Sequence, residues 1–252
     1  MSTGKTILGL VGSPNKEGLT NHLISRALEG AKEVGAEVEL VQMSDYVVDA
    51  CLDCLSPTCS TDLKCSFDDK NMQYLGEKII KCSGLVLGTP VYWGDTSGMI
   101  KYLITKMYRI YAASGPLDGL PALGIAVAGG SGNGLITGLH SIYHFFRIMK
   151  MRALDPLPVT RFNLDQTLDI AAESGRLMVL KTKDSQPFKV REESLVWYDG
   201  LPYLSKNRGD EKRLLTAITY EAVPEERKCE IEGDLGIAET LAISGKVTES
   251  LA

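Results

Sequence analysis

The chain has 252 residues, of which 44% are hydrophobic, 23% charged and 7% aromatic, the make-up of a globular domain rather than a disordered, collagen-like or coiled-coil chain. Twenty-seven Lys and Arg stand against 32 Asp and Glu, for a net charge of -5. That balance excludes the clustered basic surface on which nucleic-acid binding depends.

Short apolar runs alternate with longer helical patterns along the chain. Residues 6–11 (TILGLV), bounded by Gly12 and Pro14, predict a buried strand, and residues 20–34 an amphipathic helix closed by Gly35. Residues 37–43 predict a second strand, 69–82 a helix, 85–88 a third strand and 97–112 another helix. A fourth strand over 122–128, a helix over 135–149, a fifth strand over 159–162 and a last helix over 166–180 complete the series. Strands that are continuously apolar, each followed by a helix, imply an α/β fold with a parallel sheet covered on both faces.

Residues 1–180 thus form one doubly wound domain, and residues 181–252 an extension. Within it, 181–202 reads as a charged linker interrupted by Pro187, while 210–222 and 234–251 read as amphipathic helices. Their apolar stripes call for a surface to cover, which suggests a homodimer or homotetramer. Residues 119–146 lack charge and are long enough to span a bilayer. Their glycine-rich middle would leave amides unsatisfied there, so strand, loop and helix is the better reading and no membrane contact is expected. No secretory signal opens the chain, and four cysteines cluster between Cys51 and Cys65. Both features predict a reducing, cytoplasmic location.

Three loops follow the strands that would end on one sheet edge. Gly12-Ser13-Pro14-Asn15-Lys16-Glu17-Gly18-Leu19-Thr20-Asn21 joins the first strand to the first helix. A helix start offers free amides and a positive dipole end, so an anion belongs there. The spacing is not that of a nucleotide triphosphatase, whose lysine would stand where Leu19 does, nor that of a dinucleotide fold or a C-x5-R phosphatase. A cradle for a phosphate monoester remains. After the third strand come Pro90, Val91, Tyr92, Trp93 and Gly94; after the fourth come Gly129, Gly130, Ser131 and Gly132. Flat aromatic walls and approachable backbone amides suit a planar ring system.

Together these segments resemble the flavodoxin-like NAD(P)H-dependent FMN reductases over about residues 5–180. GSPNKEGLTN is similar to their FMN-phosphate signature, TPVYWGDTSGMIKYLITK to their isoalloxazine loop and the helix after it, and AGGSGNG with HSIYHFF to their third flavin-contacting segment. The resemblance implies a five-stranded sheet in the order 2-1-3-4-5 and bound FMN. Ser13, Asn15, Gly18, Thr20 and Asn21 would hold the phosphate. Pro90, Val91, Tyr92, Trp93, Gly94, Gly129, Gly130 and Ser131 would surround the ring and its chain.

Cys51-x2-Cys54-x4-Cys59-x5-Cys65 lies between the second strand and the next helix, in a polar loop. Four thiolates so close in sequence can wrap one metal centre, and such compact sets favour an iron–sulfur cluster over structural zinc. At this position the set resembles the iron–sulfur flavoprotein branch of the same family, which carries a [4Fe-4S] cluster near FMN, although that branch usually has x2 as its second gap. The resemblance further implies ferredoxin or NAD(P)H as electron donor and a small oxidant or quinone as acceptor. A cluster-free NAD(P)H-dependent reductase and a flavodoxin-like electron carrier are the alternatives. His140 and His144, four apart on a helix, read as packing or capping residues; Cys82 reads as a core residue and Cys229 as an isolated thiol.

Overall fold

The computed structural model describes residues 4–130, 132–205 and 208–243, apart from the side chains of residues 183, 184, 208, 209, 229, 230, 239, 242 and 243. Strand β1 (Thr6–Val11) lies between β2 (Glu37–Gln42) and β3 (Gly84–Pro90), and β4 (Pro121–Val127) follows β3. The outer position is shared by β5 (Arg152–Ala153) and β6 (Leu157–Val159), both paired with β4. Every pairing is parallel, and the order is the predicted 2-1-3-4-5.

The helices are α1 (Leu19–Glu33), α2 (Thr58–Thr61), α3 (Lys70–Lys81), α4 (Gly98–Tyr111), α5 (Leu135–Ile148), α6 (Leu164–Asp184), α7 (Arg191–Asp199), α8 (Arg208–Glu221) and α9 (Glu225–Ile243). Side chains alternate across the pleat, as strand geometry requires. Leu8, Leu10, Leu85 and Leu87 join Leu75, Leu103, Met107 and Ile142 in the core under α3, α4 and α5. Ile7, Val11 and Val86 join Leu23, Ile24, Ala27 and Met178 under α1 and α6. No described helix is long and apolar enough to cross a membrane.

Two sequence expectations are corrected. The predicted fifth strand at 159–162 lies instead at Leu157–Val159, preceded by the short β5. Residues 160–163 turn, with the Asn163 carboxamide accepting the Thr160 amide at 2.8 Å. Between the two short strands, Pro156 has no N–H to give to the ladder. The buried Tyr143 hydroxyl bridges the gap, accepting from the Gly124 amide at 3.1 Å and donating to the Leu154 carbonyl at 2.8 Å. Position 124 must be glycine for this, because a Cβ there would stand 2.4 Å from the Tyr143 ring.

The predicted linker at 181–202 contains helix α7. Glu192 and Glu193 suit its first turn, and its aromatic residues close the outer strand edge. Trp197 donates its indole N–H to the Ala153 carbonyl at 2.9 Å, and Tyr198 its hydroxyl to the Met151 carbonyl at 2.8 Å. Arg152 pairs with Glu193 at 2.6 Å while its guanidinium lies 3.9 Å from the Phe188 ring centroid. Tyr198, Leu201 and Leu215 are buried within the chain itself, so part of the extension's apolar surface is covered by its own domain. The helix predicted over 234–251 falls within α9 as far as residue 243, and its remainder lies outside the described residues.

Candidate functional site: three strand-end loops and a cysteine loop

The chain leaves β1 through Gly12, whose amide donates to the Gly88 carbonyl of β3 at 2.8 Å. The Ser97 hydroxyl donates to the Gly12 carbonyl at 2.7 Å, and the Ser97 amide to the Thr89 hydroxyl at 2.9 Å. The ends of β1 and β3 and the start of α4 are thereby locked together. Gln42, at the end of β2, donates its carboxamide N–H to the Ser13 carbonyl and accepts from Asn21 at 3.5 Å. The Ser13 hydroxyl accepts the Asn15 amide at 3.2 Å, and the Asn15 side chain accepts the Glu17 amide at 3.0 Å. Ser13 and Thr20 are buried, whereas Asn15 is exposed. Gly18 caps α1 in extended conformation and brings no side chain to the first turn. The Leu19–Asn21 amides therefore present an uncancelled positive helix end, which fits a phosphate.

Next to this loop, Tyr92 and Asp95 exchange backbone hydrogen bonds of 2.8 and 3.1 Å across Trp93 and Gly94. Those two residues have φ of 51° and 71°, the left-handed pair that a tight two-residue turn requires. Trp93 is fully exposed and Tyr92 about half exposed, so the core-packing role usual for aromatics does not apply to either. Pro90 and Val91 are half-buried at the base of the turn. The Asp95 carboxylate accepts from the Thr96 amide at 2.7 Å, Ser141 at 2.7 Å and Lys101 at 2.8 Å. Burial alone would raise its pKa, but these donors hold it below the ordinary carboxylate value. The Thr96 hydroxyl is buried and has no partner among the described residues, so it is available to a polar atom of a ligand.

The glycine loop meets the aromatic turn directly: a Cβ on Gly134 would fall 2.3 Å from the Gly94 Cα. Gly129 and Gly130 face open space, and Ser131 lies outside the described residues. From the other side, α8 presses on this loop. Glu211, itself buried, accepts the Ile136 amide in the first turn of α5 at 2.8 Å, and Leu215 fills the space beside Gly132. Sequence reasoning missed Gln42, Thr89, Ser97 and Glu211. The first three are polar residues at strand ends or a helix start, a detectable signal; nothing local marks Glu211, which acts across 75 residues.

The four cysteines occupy a loop on the α3–α4 side. Cys51, Cys59 and Cys65 are half-buried and Cys54 is exposed, with Cys59 and Cys65 resting on the core. Asp53, Leu55 and Leu63 adopt left-handed φ of 45°, 53° and 52°, a conformation costly for residues other than glycine. Leu52, Leu55, Leu63 and Phe67 are exposed. The base of the loop is firmer. Asp69 caps α3 through the Met72 amide at 2.9 Å, accepts the Asp49 amide at 3.1 Å and forms a buried ion pair with Lys106 of α4. The Ser66 hydroxyl, 3.0 Å from Cys54 Sγ, lowers that thiol's pKa. Among the described residues no three His, Cys, Asp or Glu side chains gather into a group that could hold a metal. Four thiols are the donor chemistry an iron–sulfur cluster takes, but this arrangement leaves them apart. His140 and His144 likewise form no metal site. Cys82, read from the sequence as a core residue, is partly buried and packs against the core, its thiol pushed up to about 12 by burial; the Cys229 side chain lies outside the described residues.

A parallel 2-1-3-4-5 sheet with these loops beyond the carboxyl ends of its strands is the flavodoxin-like arrangement. The sequence profile of the NADPH-dependent FMN reductases matches residues 6–161, and the chain belongs to that family of flavin-dependent oxidoreductases. Among its relatives is an iron–sulfur flavoprotein of Methanocaldococcus jannaschii, 32% identical over 146 residues, 58% of this chain and 72% of the relative. An iron–sulfur flavoprotein of Methanosarcina thermophila is 29% identical over 145 residues, 58% of this chain and 74% of the relative. Solved structures with the same fold include a flavone reductase (TM-score 0.56, 19% identity, 73% of this chain and 66% of that one). Another is the apo form of the NADH:FMN oxidoreductase EMOB (TM-score 0.55, 15% identity, 80% of this chain and all of that one).

Proposed function

We propose that the chain binds FMN at the three strand-end loops and exchanges electrons between that flavin and a [4Fe-4S] cluster ligated by Cys51, Cys54, Cys59 and Cys65. The observation that carries the flavin part is the α1 start, where uncapped amides, buried Ser13 and Thr20, and Asn21 converge beside a backbone-locked β1–β3 junction. Ser13, Asn15, Gly18, Thr20 and Asn21 hold the phosphate. Pro90, Val91, Tyr92, Trp93 and Gly94 wall the ring on one side, and Gly129 and Gly130 approach it with backbone on the other. The flavin supplies one- and two-electron chemistry; the protein's residues bind it, orient it and limit water around it.

The cluster reading is supported by four thiols within one loop and by relatives named iron–sulfur flavoproteins. In this reading the reducing cytoplasm keeps the thiols available, ferredoxin or NAD(P)H supplies electrons, and a small oxidant or quinone accepts them. The separation of the cysteines favours a second reading, a cluster-free NAD(P)H-dependent FMN or quinone reductase. Residues 1–180 form the flavin domain in either case, and the exposed part of α9, including Ile237, is the surface left for a homodimer or homotetramer. Anaerobic purification separates the readings. About four iron and four sulfide per chain, lost in Cys59→Ser while FMN is retained, is the outcome expected for the cluster. Metal-free protein that bleaches its flavin with NADPH establishes the second reading. Protein that fails to bind added FMN overturns both.

A further inference from the structure

The residues proposed to hold the flavin do not line a groove whose Lys101 and Ser141 bond to Asp95 of the aromatic turn. Between α4, α5 and the segment after α7 lies a cavity of about 600 Å³, within the range of small-molecule sites. Helix α5 gives it one basic row: His140, His144 and Arg147 fall at spacings of four and three, on a single helix face. The Arg147 guanidinium has no carboxylate partner among the described residues; its one hydrogen-bond contact is the His144 ring nitrogen at 3.3 Å. His140 Nε2 is buried with no hydrogen-bond partner among the described residues. A buried ring nitrogen of this kind is a group that native proteins ordinarily satisfy, and the arginine beside it has no carboxylate to neutralise it. Ile104, Tyr143, Tyr198 and Leu204 line the same cavity and supply apolar wall. The hydroxyls of both tyrosines are already committed to backbone carbonyls.

We propose that this groove binds a small organic anion, a carboxylate carried on an apolar body. Arg147 meets the carboxylate, His140 and His144 donate to it, and the apolar wall covers the rest of the molecule. The other charged groups facing the groove do not compete for this role. Lys101 of α4 is engaged with Asp95 and Ser141, and Asp199 at the end of α7 is exposed at the rim. Burial, then the neighbouring Arg147 charge, lowers the His144 pKa, so near neutral pH the ring waits uncharged. A bound anion offsets the Arg147 charge and its own negative charge favours the protonated ring, which raises it. The Lys101–Asp95–Ser141 contacts join the groove to the aromatic turn.

The test is a titration of the intact protein, as purified with its cofactors, with sodium benzoate and separately with inorganic phosphate, followed through histidine ring NMR signals. His22, on α1 across the sheet, serves as an internal control among the three histidines. Saturable shifts of His140 and His144 by benzoate, a raised His144 pKa in the complex and an unmoved His22 are expected. Arg147→Gln should weaken benzoate at least about tenfold, and Arg147→Lys should restore part of the loss. Phosphate, lacking the apolar body, should bind at least about tenfold more weakly. Absence of saturation, equal affinity in Arg147→Gln, or phosphate binding as well as benzoate would each overturn the proposal. The readout does not depend on turnover, so it stands apart from the fate of the flavin and cluster assignments.

Discussion

The phosphate loop and the cysteine loop are both insertions between a strand and a helix, yet they are held in opposite ways. Residues 12–21 are fixed by contacts from two strands and a helix start: Gly88 of β3, Gln42 at the end of β2, and Ser97 ahead of α4, itself held by Thr89. Residues 51–65 have exposed leucines, three non-glycine left-handed residues and thiols that do not converge. Only the stem of that loop is anchored, by Asp69 and Lys106. A cradle for an anion can be built from backbone amides alone and so exists before the ligand does. A four-thiolate site cannot, because thiolates repel one another until a metal joins them.

The largest effect should come from the stem. Asp69→Ala strands the Lys106 ammonium in the core and removes the α3 cap, so unfolding in urea should show a loss of about 3–5 kcal/mol. A milder loss would mean the cysteine loop is tied down elsewhere. Gly134→Ala forces a Cβ against Gly94 at a φ of 87°. It should cost about 1–3 kcal/mol and abolish FMN binding measured by fluorescence quenching; tight FMN binding in that variant would show that the two loops need not touch. Glu211→Ala should cost about 1 kcal/mol through the lost bond to the first turn of α5. It should weaken FMN binding, while Glu211→Gln, which retains an acceptor, should lose less.

Lys101→Met removes a partly exposed partner of Asp95, worth a few tenths to about 1 kcal/mol. Because the folded Asp95 pKa lies below its ordinary value of 3.8, the stabilisation is complete above that value and disappears as pH falls through the folded pKa. Thermal unfolding should therefore separate wild type from Lys101→Met at pH 6 and bring them together toward pH 2. Smallest of all, Cys54→Ser should leave the unfolding free energy of the metal-free protein within about 0.5 kcal/mol of wild type, as for other exposed positions.

The sheet order and all three strand-end loops were legible because β1, β3 and β4 are continuous apolar runs, each followed by a helical period. The outer strand was not, because Tyr143 supplies by side chain what the ladder lacks at Pro156, and no local pattern reports that. Helix α7 was hidden by its charge and by Pro187, its stability coming from contacts with Met151–Ala153 rather than from an apolar stripe. The cysteine loop was legible as chemistry but not as geometry: spacing lists the donors, whereas their approach depends on left-handed residues such as Asp53 and Leu55. Glu211 illustrates a further limit, since a helix cap supplied from a distant segment has no sequence neighbourhood.

Helix α7 also bears on where this chain can be cut. Shortened after residue 180, it would keep all three strand-end loops proposed to face the flavin. It would also lose Trp197 and Tyr198, baring the carbonyls of Met151 and Ala153 along an outer strand. An uncovered strand margin recruits other strands. The shortened protein is therefore set to self-associate along that margin, and precipitation, rather than a colourless solution, would be the first sign that the extension is missing.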